Sequence, residues 1–324
     1  MSTPSSQVKA RVEAAHVGPP MWERSVETLR KQMHEESVAG GGEPERVWSI
    51  DDVEVGGVRT RLYLPHPAPH AVFVWLHGGG WMLGDLDCYD AVACAIANLV
   101  GCAVASVDYR LAPEHRFPAA IDDAWEVTAR MPRDFDLVAV GGDSAGGNLA
   151  AAVALRSVAA GMSLALQVLV YPVLTTDLDN PGYQEFLEQY ADFLGVADFG
   201  QMSRRSLQYI WDSYVPSPAD RLKPDAAPLR ARSLRGSPPA LLIAAEHDIL
   251  RVDTEEYHRR LGADGVPVQM LTYQGQVHGF YNLLAAVDDA KGAISATASR
   301  LRSAFMKPAP PRKSELPQET ACPK

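Results

Sequence analysis

The chain has 324 residues, enough to bury a large core in one α/β domain carrying a cap, and 30 Lys and Arg against 40 Asp and Glu give it a formal charge of −10. That acidic balance argues against nucleic acid and anionic membranes as partners, because both call for a basic surface. Four cysteines without a C-x-x-C pair, no leader-like stretch near the start and no apolar run of the roughly 20 residues that a bilayer demands lead to the expectation of a reduced, soluble, cytoplasmic protein.

Residues 1–45 are polar, contain Pro19-Pro20 and the run Gly40 to Gly42, and carry helical character over 22–36, which suits a cap segment. From residue 46 a regular rhythm begins. Residues 46–55 and 59–64 alternate around Gly56-Gly57 like an antiparallel hairpin. Residues 71–76, 102–108, 137–141, 166–171, 240–245 and 266–273 are short, rich in Val, Leu and Ile, and apolar on both faces, as strands covered on both sides must be. Between them, 89–100, 119–130, 145–160, 253–261 and 284–305 have helical character. The alternation predicts an α/β fold with a mostly parallel central sheet and helices on both faces. Residues 180–236 break the rhythm with scattered aromatics and a proline-bearing stretch, so they read as a cap insertion within a catalytic domain over 46–306. The tail 307–324, "KPAPPRKSELPQETACPK", is expected to be flexible.

Two stretches carry chemistry. In "VGGDSAGGNLAAAVAL" (140–155), Gly142 to Gly146 match G-x-S-x-G, a tight strand-to-helix turn that presents a serine and tolerates only small neighbours. The match is short, but an apolar strand precedes it and a helix apolar almost all round follows it. Ser144 would then sit at the carboxyl end of a central strand, where open α/β sheets bind ligands. A serine hydroxyl needs a base and a carboxylate to orient that base. Of nine histidines most read as surface or loop residues; His278, in "GQVHGF" after the last predicted strand, falls at the same sheet edge as the serine turn. The stretch "AEHDILRVD" offers Glu246, Asp248 and Asp253 as the acid. Asp248 lies just past the strand end, whereas Asp253 reads as a cap for the next helix. The order Ser144, Asp248, His278 is that of an α/β-hydrolase sheet.

The second stretch is "HGGGW" (77–81) after the strand 71–76. A linker would not be hemmed in by Trp81 on one side and an apolar strand on the other. Glycines there let backbone N–H groups approach the oxyanion that forms when serine attacks an ester carbonyl. "HGGGW", "DYRLAPEHRFPAAIDD" (108–123), "GDSAGGNLA" (142–150), the Asp248 region and "HGF" together resemble the bacterial hormone-sensitive-lipase-like carboxylesterases of the α/β-hydrolase fold, over about residues 60–305. The resemblance implies oxyanion donors at Gly79, Gly80 and Ala145, a loop-holding role for His77, and a bracing role for Asp108, Arg110 and Glu114. Where the family often has D-P-L-x-D, this chain has Ile249 for Pro and its second aspartate one place later.

The reading is a serine carboxylesterase acting on small, short- to medium-acyl esters through an acyl-enzyme, with no metal or organic cofactor. A deacetylase, amidase or thioesterase would use the same residues. A non-catalytic binding protein, as in the plant gibberellin receptors that resemble this family, is disfavoured by the presence of His278. Relatives commonly dimerise through the edge strand that 266–273 would form, so a homodimer is an expectation by likeness only.

Overall fold

The six runs read as apolar on both faces join the alternating hairpin in one eight-stranded sheet in the computed structural model, which describes residues 7–8, 19–194 and 203–306. The strands are β1 (Ser49–Val55), β2 (Val58–Leu64), β3 (Ala71–Leu76), β4 (Ala103–Val107), β5 (Leu137–Asp143), β6 (Gln167–Val170), β7 (Ala240–His247) and β8 (Val268–Val277), in the spatial order β1-β2-β4-β3-β5-β6-β7-β8. The hairpin β1-β2 and the pair β2-β4 are antiparallel, and the remaining neighbours are parallel. The hairpin turns on Gly56 and Gly57 at φ 64° and 84°, backbone angles that suit a two-residue turn between twisted strands.

The eight helices named here are α1 (Val26–Gly41), α2 (Asp90–Val100), α3 (Ala119–Arg130), α4 (Ala145–Ala160), α5 (Pro181–Leu194), α6 (Arg204–Tyr214), α7 (Arg251–Ala263) and α8 (Asp288–Phe305). All six residues of β3 are buried, and the two-residue period of a strand divides them between two half-cores. Val72, Val74 and Leu76 pack with α3 and α4, while Phe73 and Trp75 pack with α2 and α8. Helix α4 buries eleven of its sixteen residues, which is why its sequence shows no polar face. It stops at Gly161, left-handed at φ 64°.

Several boundaries differ from the sequence reading. Helix α1 runs through the buried Gly40 and Gly41, the latter beside Ala91 of α2, and stops only at Gly42, whose φ of 75° suits glycine. Helix α8 begins at Asp288, not 284, since the preceding residues form turns in which the Ala285 amide donates to Gly40 O at 3.0 Å. The expectation that Asp253 caps a helix is wrong. Helix α7 starts two residues earlier, and Asp253 is wholly buried inside it, accepting from the amides of Leu174 (2.6 Å) and Thr175 (3.0 Å) and from the Tyr183 hydroxyl (2.5 Å). Burial pushes its carboxyl up to about 7 against those three donors.

Where the sequence showed only an aromatic insertion, α5 and α6 form. Ser203 starts α6 with a reciprocal capping box to Ser206. Trp211 and Tyr214 of α6 pack their rings on Trp81 at 4.7 and 4.4 Å, so this helix lies over the glycine loop after β3. The tail 307–324, residues 1–6 and 9–18, and 195–202 of the insertion lie outside the described residues.

Candidate active site

Strand β5 ends at Asp143 in the middle of the sheet, and the chain turns into α4 through Ser144 at φ 54° and ψ −117°. A non-glycine residue held there is strained, and the surroundings impose it. A Cβ on Gly142 would overlap Leu76 O, and one on Gly146 would overlap both Leu76 O and His77 O. The turn can therefore pass beside β3 only with glycine on either side of Ala145 and Ser144.

The structure brings the three predicted triad side chains together from three strand ends. His278, directly after β8, places Nε2 2.9 Å from Ser144 Oγ, and its Nδ1 donates to Asp248 Oδ2 at 2.7 Å. Asp248, directly after β7, has a fully covered side chain whose other oxygen accepts from the Leu250 amide at 3.0 Å. A carboxylate can only accept, so Nδ1 carries the proton and Nε2 is free to receive one from the hydroxyl. Burial pushes the His278 pKa down, but the Asp248 charge and hydrogen bond, with Asp143 beyond, outweigh it and hold the imidazole above its ordinary value. The Tyr171 ring lies against the imidazole, 4.6 Å between centroids.

Three predicted donors converge on the same edge. Gly79 (φ 115°) and Gly80 (φ 62°) follow β3, and their amides have no acceptor among the described residues. The Gly79 carbonyl turns away to accept from Met82 and Leu83 at 3.1 and 2.9 Å. Ala145 opens α4, where a first-turn amide has no partner within the helix. His77 is buried and stacked on Tyr109 at 4.2 Å, with Nδ1 donating to Gly78 O at 2.8 Å. Desolvation pushes its pKa down, so it is a neutral fixture of the loop.

Two residues that hold this loop were missed from sequence. Asp143 accepts from the Gly78 amide at 2.8 Å and from the Tyr89 hydroxyl at 3.0 Å, and Tyr89 in turn accepts from Gly78 at 3.0 Å. Burial raises its carboxyl to about 6. The available signal was a charge immediately at the end of an apolar strand, in the variable position of G-x-S-x-G. Arg30, on α1, donates to Met82 O at 2.9 Å, to Ala112 O at 3.1 Å and to both oxygens of Glu114 at 2.8 and 2.7 Å. Glu114 thus braces the loop through Arg30. Arg110 instead grips Asp123 with two bonds of 2.8 and 2.7 Å, and Asp108 meets Arg59 at 3.4 Å.

Comparison with known proteins gives consistent matches. The family model described as "alpha/beta hydrolase fold" matches residues 73–282. Carboxylesterase NlhH of Mycobacterium tuberculosis is 39% identical over 246 residues, 72% of this chain and 74% of its own length. The ethyl acetate hydrolase of Pseudomonas putida is 33% identical, over 84% of this chain and 88% of its own. Among solved structures, a hyperthermophilic esterase from Pyrobaculum calidifontis superposes with a TM-score of 0.83 at 31% identity, covering 94% of this chain and all of the other. Among the described residues no helix is long and apolar enough to cross a membrane.

Proposed function

This chain belongs to the hormone-sensitive-lipase-like carboxylesterases of the α/β-hydrolase family and acts on carboxylic esters, and from that premise we propose that Ser144, His278 and Asp248 are its catalytic triad, with the amides of Gly79, Gly80 and Ala145 as the oxyanion hole. The observation that carries the reading is the unbroken relay of 2.9 and 2.7 Å from hydroxyl to imidazole to buried carboxylate.

In the first step Ser144 Oγ bonds to the ester carbonyl carbon while its proton passes to His278 Nε2. Asp248 keeps the ring oriented and stabilises the imidazolium. The carbonyl oxygen, now an anion, meets the three amides, where each preorganised donor is worth about 3–4 kcal/mol of transition-state stabilisation. The C–O bond to the alcohol then breaks and Nε2 returns its proton to the departing oxygen. Water repeats the sequence on the acyl-enzyme and releases the acid.

The substrate is a small ester of short to medium acyl length, held at the sheet edge beneath α6. Helix α6 supports that scale by packing close on the glycine loop: Ile210 would stand 3.1 Å from a Cβ on Gly80. Ser144→Ala should lower kcat on a short-chain aryl ester by a factor of about 10⁴ or more with an unchanged Tm. Activity within tenfold of wild type would overturn the assignment of the nucleophile. Matched ester, amide and thioester substrates test the bond preference, with the ester expected to give the highest kcat/KM.

A further inference from the structure

Away from the triad, His34, Asp85 and Cys88 place one ligand atom each within 4.8 Å of one another. His34 Nδ1 lies 2.8 Å from Asp85 Oδ2, and the other Asp85 oxygen accepts from the Cys88 amide at 3.0 Å. His34 sits on α1, whereas Asp85 and Cys88 sit on the segment that continues the glycine loop toward α2. The imidazole and the carboxylate are half-exposed, with 42% and 44% of their side chains open, and the thiol forms the covered floor at 3%. Cys88 makes no disulfide.

We propose that His34, Asp85 and Cys88 bind one divalent transition-metal ion of the zinc class, clamping α1 to the segment behind the glycine loop. Nitrogen, oxygen and sulfur donors in one cluster select a borderline-soft ion over magnesium or calcium. At metal–ligand distances of about 2.0–2.3 Å, tetrahedral donors stand roughly 3.3–3.8 Å apart. The 2.8 Å contact would open slightly and the other two separations, both within 4.8 Å, would adjust, movements within reach of the two half-exposed side chains. Asp85 now draws a proton from His34 Nδ1, and the thiol of Cys88 faces both Asp85 and Ser37, so the ion takes the place of protons already gathered around one carboxylate. Binding forms bonds to Nδ1, a carboxylate oxygen and sulfur. The thiol proton leaves for solvent, and the imidazole binds neutral with its remaining proton on Nε2. Thiolate and carboxylate together balance the 2+ charge. A water completes the fourth position.

The location gives the site a reach that a surface ion pair lacks. Cys88 adjoins Tyr89, whose hydroxyl holds both Asp143 and the Gly78 amide. The test uses the full chain stripped with EDTA and titrated with Zn²⁺ by calorimetry, and separately with Co²⁺ by absorption. One Zn²⁺ per chain, a rise in Tm of about 3–5 °C at a hundredfold excess over Kd, and a near-ultraviolet thiolate-to-cobalt band that persists in Cys322→Ser are expected. Cys88→Ser should remove the band. His34→Ala, at an exposed position that should leave metal-free ester hydrolysis unchanged, should weaken Zn²⁺ binding at least about tenfold. Absence of stoichiometric binding, a band that survives Cys88→Ser, or wild-type affinity in His34→Ala would each overturn the proposal without touching the esterase assignment.

Discussion

The turn at 142–146 and the loop at 78–80 both require glycine, and for different reasons. Gly142 and Gly146 have ordinary backbone angles; what excludes a side chain is the main chain of β3, with Leu76 O standing where either Cβ would lie. Gly79 and Gly80 have positive φ, and a Cβ on Gly80 meets only the Ile210 side chain of the cap, at 3.1 Å or more. The elbow is thus fixed by the core and cannot yield without disturbing the sheet. The loop is fixed by conformation, at Gly79 by the Leu83 main chain of the loop itself, and at Gly80 by a cap side chain that can shift. Catalytic geometry at the two places should therefore respond to substitution on different scales.

The largest effect is expected at the elbow. Gly146→Ala forces a methyl group into two carbonyl oxygens and should cost about 4 kcal/mol or more, read as loss of soluble folded protein or a steep fall in Tm; a wild-type Tm would break the contrast. Gly79→Ala comes next: its methyl group would overlap Leu83 O and displace one of the proposed oxyanion donors, so kcat should fall by about 10²–10³ while most of the fold survives. Gly80→Ala should be milder, about 1–2 kcal/mol of backbone strain with a loss in kcat of about tenfold. Adding Ile210→Ala should recover part of that loss, which a double-mutant cycle measures.

The smallest effect sharpens the comparison by acting on charge alone. Because the folded pKa of His278 is raised above 6.5 and the proposed base works only when neutral, the acid limb of kcat/KM should have its midpoint above pH 6.5. Asp143→Asn keeps an acceptor for Gly78 but removes a charge that raises the His278 pKa, so the midpoint should move down by a few tenths of a pH unit. The same variant has a stability signature. A carboxyl whose folded pKa is raised to about 6 from 3.8 favours the native state when protonated, so wild-type stability declines as pH rises through that window. Tm measured from pH 4 to 7 should fall less steeply in Asp143→Asn.

What was legible in the sequence is what local pattern dictates. The strands of the sheet core are apolar on both faces, and the serine turn announces itself because sterics leave few residue types for it. Asp248 and His278 could be placed because each follows a strand end. Asp253 misled because its neighbours, amides at 174 and 175 and the Tyr183 hydroxyl, lie more than 65 residues away in sequence, while the local view offered only a helix start. Arg30 and Asp143 escaped notice for the same reason: their partners at 82, 112 and 78 become visible only once β3 lies beside β5 and α1 lies across them. Helical character read from the sequence stopped at 36, because the low helix propensity of Gly40 and Gly41 does not reveal that both are buried within α1.

Arg30 ties α1 to the Met82 carbonyl, two residues beyond the glycines proposed to face the reacting oxygen. An engineer grafting a foreign leader onto this scaffold to widen its doorway inherits that tether as a design constraint. The transplant must bring its own guanidinium at the matching height, or turnover will drop even for substrates that the new entrance welcomes.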